Sequence, residues 1–275
     1  MHMSATSPTI PGVTAAELTE AGLLISWSEP VVRITLAAPE RRNAQSPHTW
    51  SVLARVGEWA QSMGDQLSIV VLDAQGVSFS AGLDRRMFTP EGIPGQTSLL
   101  DVVRADDEAK MQFIAAAQSG FRWLRDIGAV TMAVVEGHAI GAGFQLALAA
   151  DVIVPSHDAV FAMKETSWGL VPDLGGTAPM VRGAGYGPAL IACATGRNIS
   201  AAELAAWGLA LPPTDDAQMT VDELIGALSA TPPGAVSDLK VLLRGLDDAD
   251  REQQWLREAQ VQSGRLTSWA AQLTP

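Results

Sequence analysis

Residues 130–150, VTMAVVEGHAIGAGFQLALAA, carry the reading on which the rest of the chain depends. Val130 to Val135 is an apolar run rich in β-branched residues, the pattern of a buried strand. It breaks at Gly137 and again at Gly141-Ala142-Gly143, and from Phe144 to Ala150 almost every residue is an apolar helix former. Strand, glycine turn and buried helix form a device for aiming backbone N–H groups. The first amides of a helix have no partner within it, and the helix dipole makes that end positive. Glycines keep side chains away, so a ligand oxygen can approach the main chain. An oxygen gaining negative charge during a reaction is stabilised at such a place. The bland alternative is a tight turn that packs a helix on a sheet.

The chain has 275 residues and a formal net charge of −12. That charge disfavours nucleic acid and anionic membranes as partners, but single cations and amides can still hold a small anion. Apolar residues make up 47% and charged residues 17%, a balance that supports a sizeable core and argues against disorder. Cys193 stands alone in an apolar run and reads as a core residue. With no intrachain disulfide available, a reducing, cytoplasmic setting is expected. No apolar run is long enough for a spanning helix. The opening MHMSATSPTIPG lacks a basic segment followed by an apolar core, so no secretory signal is expected, and residues 1–18 read as a flexible segment.

Two short strands, 22–29 and 31–36, read as a hairpin around Pro30. A polar loop, 37–47, carries Arg41 and Arg42, either solvated or available to a phosphate. A helix is expected over 49–63, and a buried strand over 68–72. Phe79-Ser80-Ala81-Gly82-Leu83-Asp84 then repeats the strand-to-glycine-turn device, with the Leu83 amide as candidate donor. Pro90, Gly92, Pro94 and Gly95 make 85–103 read as an irregular loop. A long helix follows over 106–127, with Met111, Ile114, Ala115, Phe121 and Leu124 inward. After residue 150, short strands at 151–154 and 159–163 precede a polar loop, with a helix starting near Asp173. One or two apolar helices fill 179–195, and Ser200 with Glu203 makes a capping box for a helix to Trp207. Beyond Pro212-Pro213 only helices are expected, at 221–230, 234–243 and 248–263. The pattern is α/β, with a core over 19–200 and a helical C-terminal region over 201–275.

Several chemistries fall away. Position 146 is Leu, so no GxGxxG follows the strand, and GxxxxGK[ST] and GxSxG are missing. His2, His48, His138 and His157 lack metal-ligand spacing, so no metal site is expected. His138 is a polar loop residue or a hydrogen-bond donor. The carboxylates near the glycine turns remain. Glu165 has no helix end to cap, and a buried lone Glu has a raised pKa suited to taking a proton. Asp173 is either a second acid or a helix cap.

These motifs together resemble the crotonase superfamily, the enoyl-CoA hydratase/isomerase enzymes. The resemblance rests on ERRNA (40–44), FSAGLD (79–84), VEGHAIGAGFQLALAAD (135–151), KETSWGLVPDLGGT (164–177) and ATGRNISAAELAAWGLA (194–210). It implies a spiral of ββα units with a C-terminal helical region that joins subunits into homotrimers or hexamers. It also implies an oxyanion hole of the Leu83 and Ala142 amides around an acyl-CoA thioester carbonyl, the CoA thioester being substrate and no separate cofactor being required. Contacts to CoA are implied at Arg41, Ala44, Ala81, Gly82, Asp84 and Gly141, with Lys240 for the nucleotide phosphates and Arg244 beside it.

One departure decides between reactions. Hydratases of the family usually present two Glu residues to one water. The second matches Glu165, but the first falls on Gln145, which cannot take up a proton near neutral pH. Glu165-Thr166 resembles the single-Glu Δ3,Δ2-enoyl-CoA isomerases, and Asp173 matches a position that carries an acid in dienoyl-CoA isomerases. The expectation is an acyl-CoA enzyme shifting a double bond, with Glu165 as base, Asp173 as acid and Gln145 in the site. The alternatives are a hydratase using Glu165 and Asp173, and an acyl-CoA binding protein without turnover.

Overall fold

The computed structural model describes residues 6–231, 234–245 and 251–273. Helix α1 (Ala15–Ala21) lies where a flexible segment was expected. The Thr14 side chain accepts from the Glu17 amide, the Glu17 carboxylate reaches back, and left-handed Gly22 ends the helix. Ile10 is buried, and Thr6 pairs main chain to main chain with Trp27, so the chain is docked from residue 6 onward.

Strands β1 (Leu23–Ser28) and β2 (Val31–Leu36) form the antiparallel hairpin, with Leu23 opposite Leu36. Helix α2 (Pro47–Ser62) starts on a Ser46 cap with proline in its first turn. Strand β3 (Ile69–Ala74) runs parallel to β2. The stretch 85–103 is more ordered than its Pro/Gly content suggests. Arg85–Phe88 is a 3₁₀ turn capped by Asp84, and α3 (Leu99–Arg104) has its own Ser98/Asp101 capping box. Helix α4 (Asp107–Asp126) buries Ile114, Ala117, Phe121 and Leu124. Ala115, expected inward, is exposed.

Next come β4 (Val130–Val135), β5 (His138–Ile140), α5 (Ala142–Ala149), β6 (Val152–Pro155) and β7 (Val160–Ala162). One sheet has the order β1-β2-β3-β4-β6. Ile69, Val70, Val71 and Leu72 of β3 are wholly buried, because both faces of this sheet are covered. Val70, Leu72 and Ala133 pack with α2 and α4, while Ile69, Val71, Met132 and Val134 face the other way.

Two short helices, α6 (Thr177–Ala184) and α7 (Tyr186–Thr195), fill the apolar stretch, and β8 (Ile199–Ser200) completes a second sheet, β5-β7-β8. Ser200 caps α8 (Ala201–Ala206) as expected, but the Glu203 carboxylate turns to Arg197. Helix α9 (Ala217–Ser229) covers the outer sheet face with Ala217 and Val221. Helices α10 (Ala235–Gly245) and α11 (Arg251–Leu273) follow. Ala259 and Leu266 of α11 pack with Val102, Val103 and Ile114 of α3 and α4, so the helical region is built onto the core. Among the described residues, no helix is long and apolar enough to cross a membrane.

The expectation for Lys240 is corrected here. Its amine is buried and donates to the Ala129 carbonyl at 2.7 Å and to Asp151 Oδ2 at 2.6 Å. It ties α10 to the start of β4 and the end of α5, and is not available to a nucleotide phosphate. Arg244 is held by Asp126. Removing the amine leaves the Ala129 carbonyl without this donor and the partly exposed Asp151 without its cation. Lys240→Ala is therefore expected to cost about 1–3 kcal/mol of stability in chemical unfolding. The folded variant should bind acyl-CoA as wild type does in calorimetry.

Candidate active site

Two chain segments run side by side at the end of the sheet. The Ser80 amide donates to the His138 carbonyl and the Ile140 amide to the Ser80 carbonyl, both at 2.9 Å, pairing Ser80 with Ala139 in parallel. Three residues further along each segment stand Leu83 and Ala142. The Gln45 amide donates to the Gly82 carbonyl, and the Asp84 amide to the Gln45 carbonyl, both at 2.8 Å, fixing the backbone on either side of Leu83. Ser80 Oγ, completely buried, accepts from the Gly82 amide and donates to the Asn43 carbonyl. Among the described residues, neither the Leu83 nor the Ala142 amide donates to another group. Ala142 is the first residue of α5, at its positive end.

Glycine is required in this turn. Gly82 has φ +87°, and a Cβ there would lie 2.5 Å from the Ile140 carbonyl oxygen and 3.5 Å from the Ala142 nitrogen. Gly141 has φ 53° and ψ −120°, and a Cβ on it would stand 3.3 Å from Glu165 Oε1.

Glu165 opens a 3₁₀ turn, Glu165–Trp168, that follows β7. Gln145 Nε2 donates to its Oε1 at 2.8 Å. Its Oε2 is shielded from water and has no partner. Burial raises the carboxyl from 4.5 to about 7, against the opposing pull of main-chain hydrogen bonding and Gln145. Gln145 has its carbonyl oxygen fully committed. Its Oε1 accepts from the Leu174 amide at 2.8 Å and the Gly176 amide at 3.3 Å, which fixes the amide's orientation and turns Nε2 toward Glu165.

Asp173 does not cap a helix. Helix α6 starts at Thr177, and Gly176 is its cap residue, so the helix expected near Asp173 begins one turn later. The Asp173 carboxyl is pushed well above the usual carboxylate range, by burial first, then by the charges of Glu165 and Glu258. Burial and both neighbouring charges favour its protonated form.

Ala81, Gly82, Leu83, Gly141, Ala142, Gln145, Glu165 and Asp173 all line one cavity of about 420 Å³. Trp50, Phe113, Leu170 and a stacked pair, Phe88 and Trp168, with centroids 4.7 Å apart, supply its apolar wall. Sequence reasoning missed this wall, and also Gln262, because these residues meet only through the tertiary fold. His138 is exposed and lines the same cavity. Arg41, Ala44 and Asp84, three further residues expected at CoA, do not line this cavity. The Arg41 side chain donates to the Ala44 carbonyl and to Glu40, and the Asp84 carboxylate accepts from Arg86. Among the described residues, no group of three or more His, Cys, Asp or Glu side chains is placed to hold a metal ion.

The raised Glu165 pKa has a stability consequence. The folded state favours the neutral acid, so this contribution is complete below pH 4.5 and is lost as pH rises through about 7. Glu165→Gln is neutral at every pH and can still accept from Gln145. Its melting temperature should match wild type near pH 4 and exceed it at pH 8. Equal melting temperatures at pH 8 would contradict a buried, desolvated Glu165.

The family model for enoyl-CoA hydratase/isomerase matches residues 27–265 of this chain. A Thermobifida fusca YX protein assigned as an enoyl-CoA hydratase, solved with acetoacetyl-CoA, is 39% identical. The match covers 94% of this chain and 100% of that one, with a TM-score of 0.79. The mevalonyl-coenzyme A hydratase sidH of Aspergillus fumigatus is 27% identical over 236 residues, 85% of this chain and 81% of its own. YhaR of Bacillus subtilis, assigned as an enoyl-CoA hydratase/isomerase, is 32% identical over 221 residues, 78% of this chain and 79% of its own. Fold, paired glycine turns and these matches agree: the chain is an acyl-CoA enzyme of the enoyl-CoA hydratase/isomerase family, in the crotonase superfamily.

Proposed function

We propose that this enzyme moves a double bond in an enoyl-CoA, converting a 3-enoyl to a 2-enoyl thioester. The observation that carries this reading is the committed Gln145. With both ends of its amide engaged, it offers no acceptor to a water, and Glu165 Oε2 is left as the unpartnered carboxylate oxygen. In the proposed reaction the thioester oxygen accepts from the Leu83 and Ala142 amides. Glu165 Oε2 takes a proton from C2, and the C2–H electron pair spreads through the alkene and the thioester carbonyl as a dienolate. A proton then returns to C4, from Glu165 itself or from Asp173. No atom is gained or lost.

A second reading, hydration of a 2-enoyl-CoA, is favoured by a second carboxyl group, Asp173, lining the same cavity as Glu165 and pushed toward its neutral form by burial. It needs Glu165 and Asp173 to replace the usual carboxylate pair. Binding without turnover is disfavoured by a base held with a pKa of about 7 beside two undonated amides. Self-association as a trimer or hexamer is part of the proposal, supported by exposed Tyr186 and Ile191 on α7 and Leu239 and Leu242 on α10.

Incubation with 3-enoyl-CoA should give the conjugated 2-enoyl thioester, followed by mass-resolved chromatography and absorbance. Fast formation of 3-hydroxyacyl-CoA without migration of the double bond would overturn the isomerase reading in favour of hydration. Activity should rise with pH through about 7, as Glu165 ionises, and fall again once Asp173 loses its proton. Ala142→Pro removes one amide at the first helical position, where proline is accommodated. Its kcat should fall about 10²–10³-fold.

A further inference from the structure

Helix α6 has no side-chain cap of its own, since its cap residue is Gly176. The cap comes from 81 residues further along the chain. Glu258 of α11, 4% exposed, accepts from the Gly175 amide at 2.8 Å through Oε2. Its Oε1 accepts from the Thr177 amide at 3.3 Å and from the Thr177 hydroxyl. The amides of this loop alternate in direction: those of Leu174 and Gly176 go to Gln145, and those of Gly175 and Thr177 go to Glu258. The loop is gripped from two sides, and the grip on one side is what orients the amide that holds Glu165. Nearby, Gln118 donates to the Asp173 carbonyl, and Gln262 of α11 accepts from the Val171 amide.

We infer that Glu258 is a positioning residue for the reaction. Its carboxylate holds the 173–177 loop, on which Gln145 and through it Glu165 are oriented, and it places a negative charge beside Asp173. The electrostatic part depends on the role proposed above for Asp173; the positional part does not. The groups that face Asp173 are few. Glu165 comes from the 3₁₀ turn, and Glu258 and Gln262 come from α11. Arg122 and Arg125 of α4 and Arg182 of α6 line a small cavity shared with Glu258. Cys193 of α7, whose thiol burial pushes up to about 11, feels both Glu165 and Glu258. Glu258 and Glu165 both hold the Asp173 proton in place, and removing the charge of Glu258 must let it leave at lower pH.

Glu258→Gln and Glu258→Asp separate the two parts. The amide variant keeps one acceptor oxygen and loses the charge. Its kcat should fall about tenfold or more with KM nearly unchanged, because a displaced base costs rate rather than binding. The alkaline limb of its pH profile should move down by about one pH unit. The shorter Asp keeps the charge but spans the two amides poorly, so kcat should fall with the alkaline limb unmoved. Exchange of the α-protons of a saturated acyl-CoA in D2O reports the base and the amides without requiring isomerisation, and Glu258→Gln should slow it. If wild type exchanges α-protons but does not isomerise 3-enoyl-CoA, the isomerase reading fails and the positional role is still tested. If both variants lose only thermal stability, and keep wild-type kcat, exchange and alkaline limb per folded molecule, the role assigned to Glu258 is overturned. Should Glu258→Gln not fold, wild-type kinetics in Glu258→Asp overturn it equally.

Discussion

Two parallel hydrogen bonds, Ser80 to His138 and Ile140 to Ser80, set everything else in this molecule in place. They join two turns that leave different strands, and they do it in register, so the third residue beyond each pairing point presents its amide beside the other. The pairing is possible because Gly82 and Gly137 admit backbone where any Cβ would collide with a carbonyl oxygen. The cavity, the buried carboxyls and the helix dipole of α5 matter because they surround that junction. A hydrogen bond of this kind contributes only about 0.5–1.5 kcal/mol net. Its importance is geometric.

The acids around the junction are arranged by constraint rather than by strength of interaction. Gln145 has two ends, and main-chain amides occupy one of them, so the other must face Glu165. An acid at position 145 would have to share protons with Glu165; the amide avoids this and leaves Glu165 to titrate near neutrality. Asp173 is pushed toward its neutral form by burial and by the charges of Glu165 and Glu258, while Glu165 is raised by burial against the pull of main-chain hydrogen bonding and Gln145. Two carboxyl groups in one cavity thus have different surroundings, the arrangement that lets neighbouring acids take different parts in proton transfer.

Much of this was legible in the sequence, and the limits have physical reasons. The strand at 130–135, the paired glycine turns and the apolar helix after Ala142 follow from periodicity and from glycine placement, both local properties. Glu165 stood out because no helix end needed it. The short helices α1 and α3 are written in the Thr14 and Ser98 capping boxes; the Pro and Gly of 85–103 hide the second, and a place near the N-terminus hides the first. The Asp173 side chain suits a helix start as well as an acid, whereas the true cap residue, Gly176, has no side chain to announce it. The family resemblance implied a phosphate for Lys240; charge on a helix says nothing of what faces it, and only the fold brings Asp151 opposite. The wall of Phe88, Phe113 and Trp168 and the grip of Glu258 join residues far apart in sequence, which no local pattern records.

The capping of α6 from α11 also bears on how the molecule comes into being. During synthesis the amides of Gly175 and Thr177 leave the ribosome well before the carboxylate that will receive them. Until α11 emerges they are satisfied by water, and the neighbouring loop lacks one of its two anchors. The surroundings of Glu165 are therefore complete only once the last helix is in place, because the loop that orients Gln145 takes one of its two anchors from it.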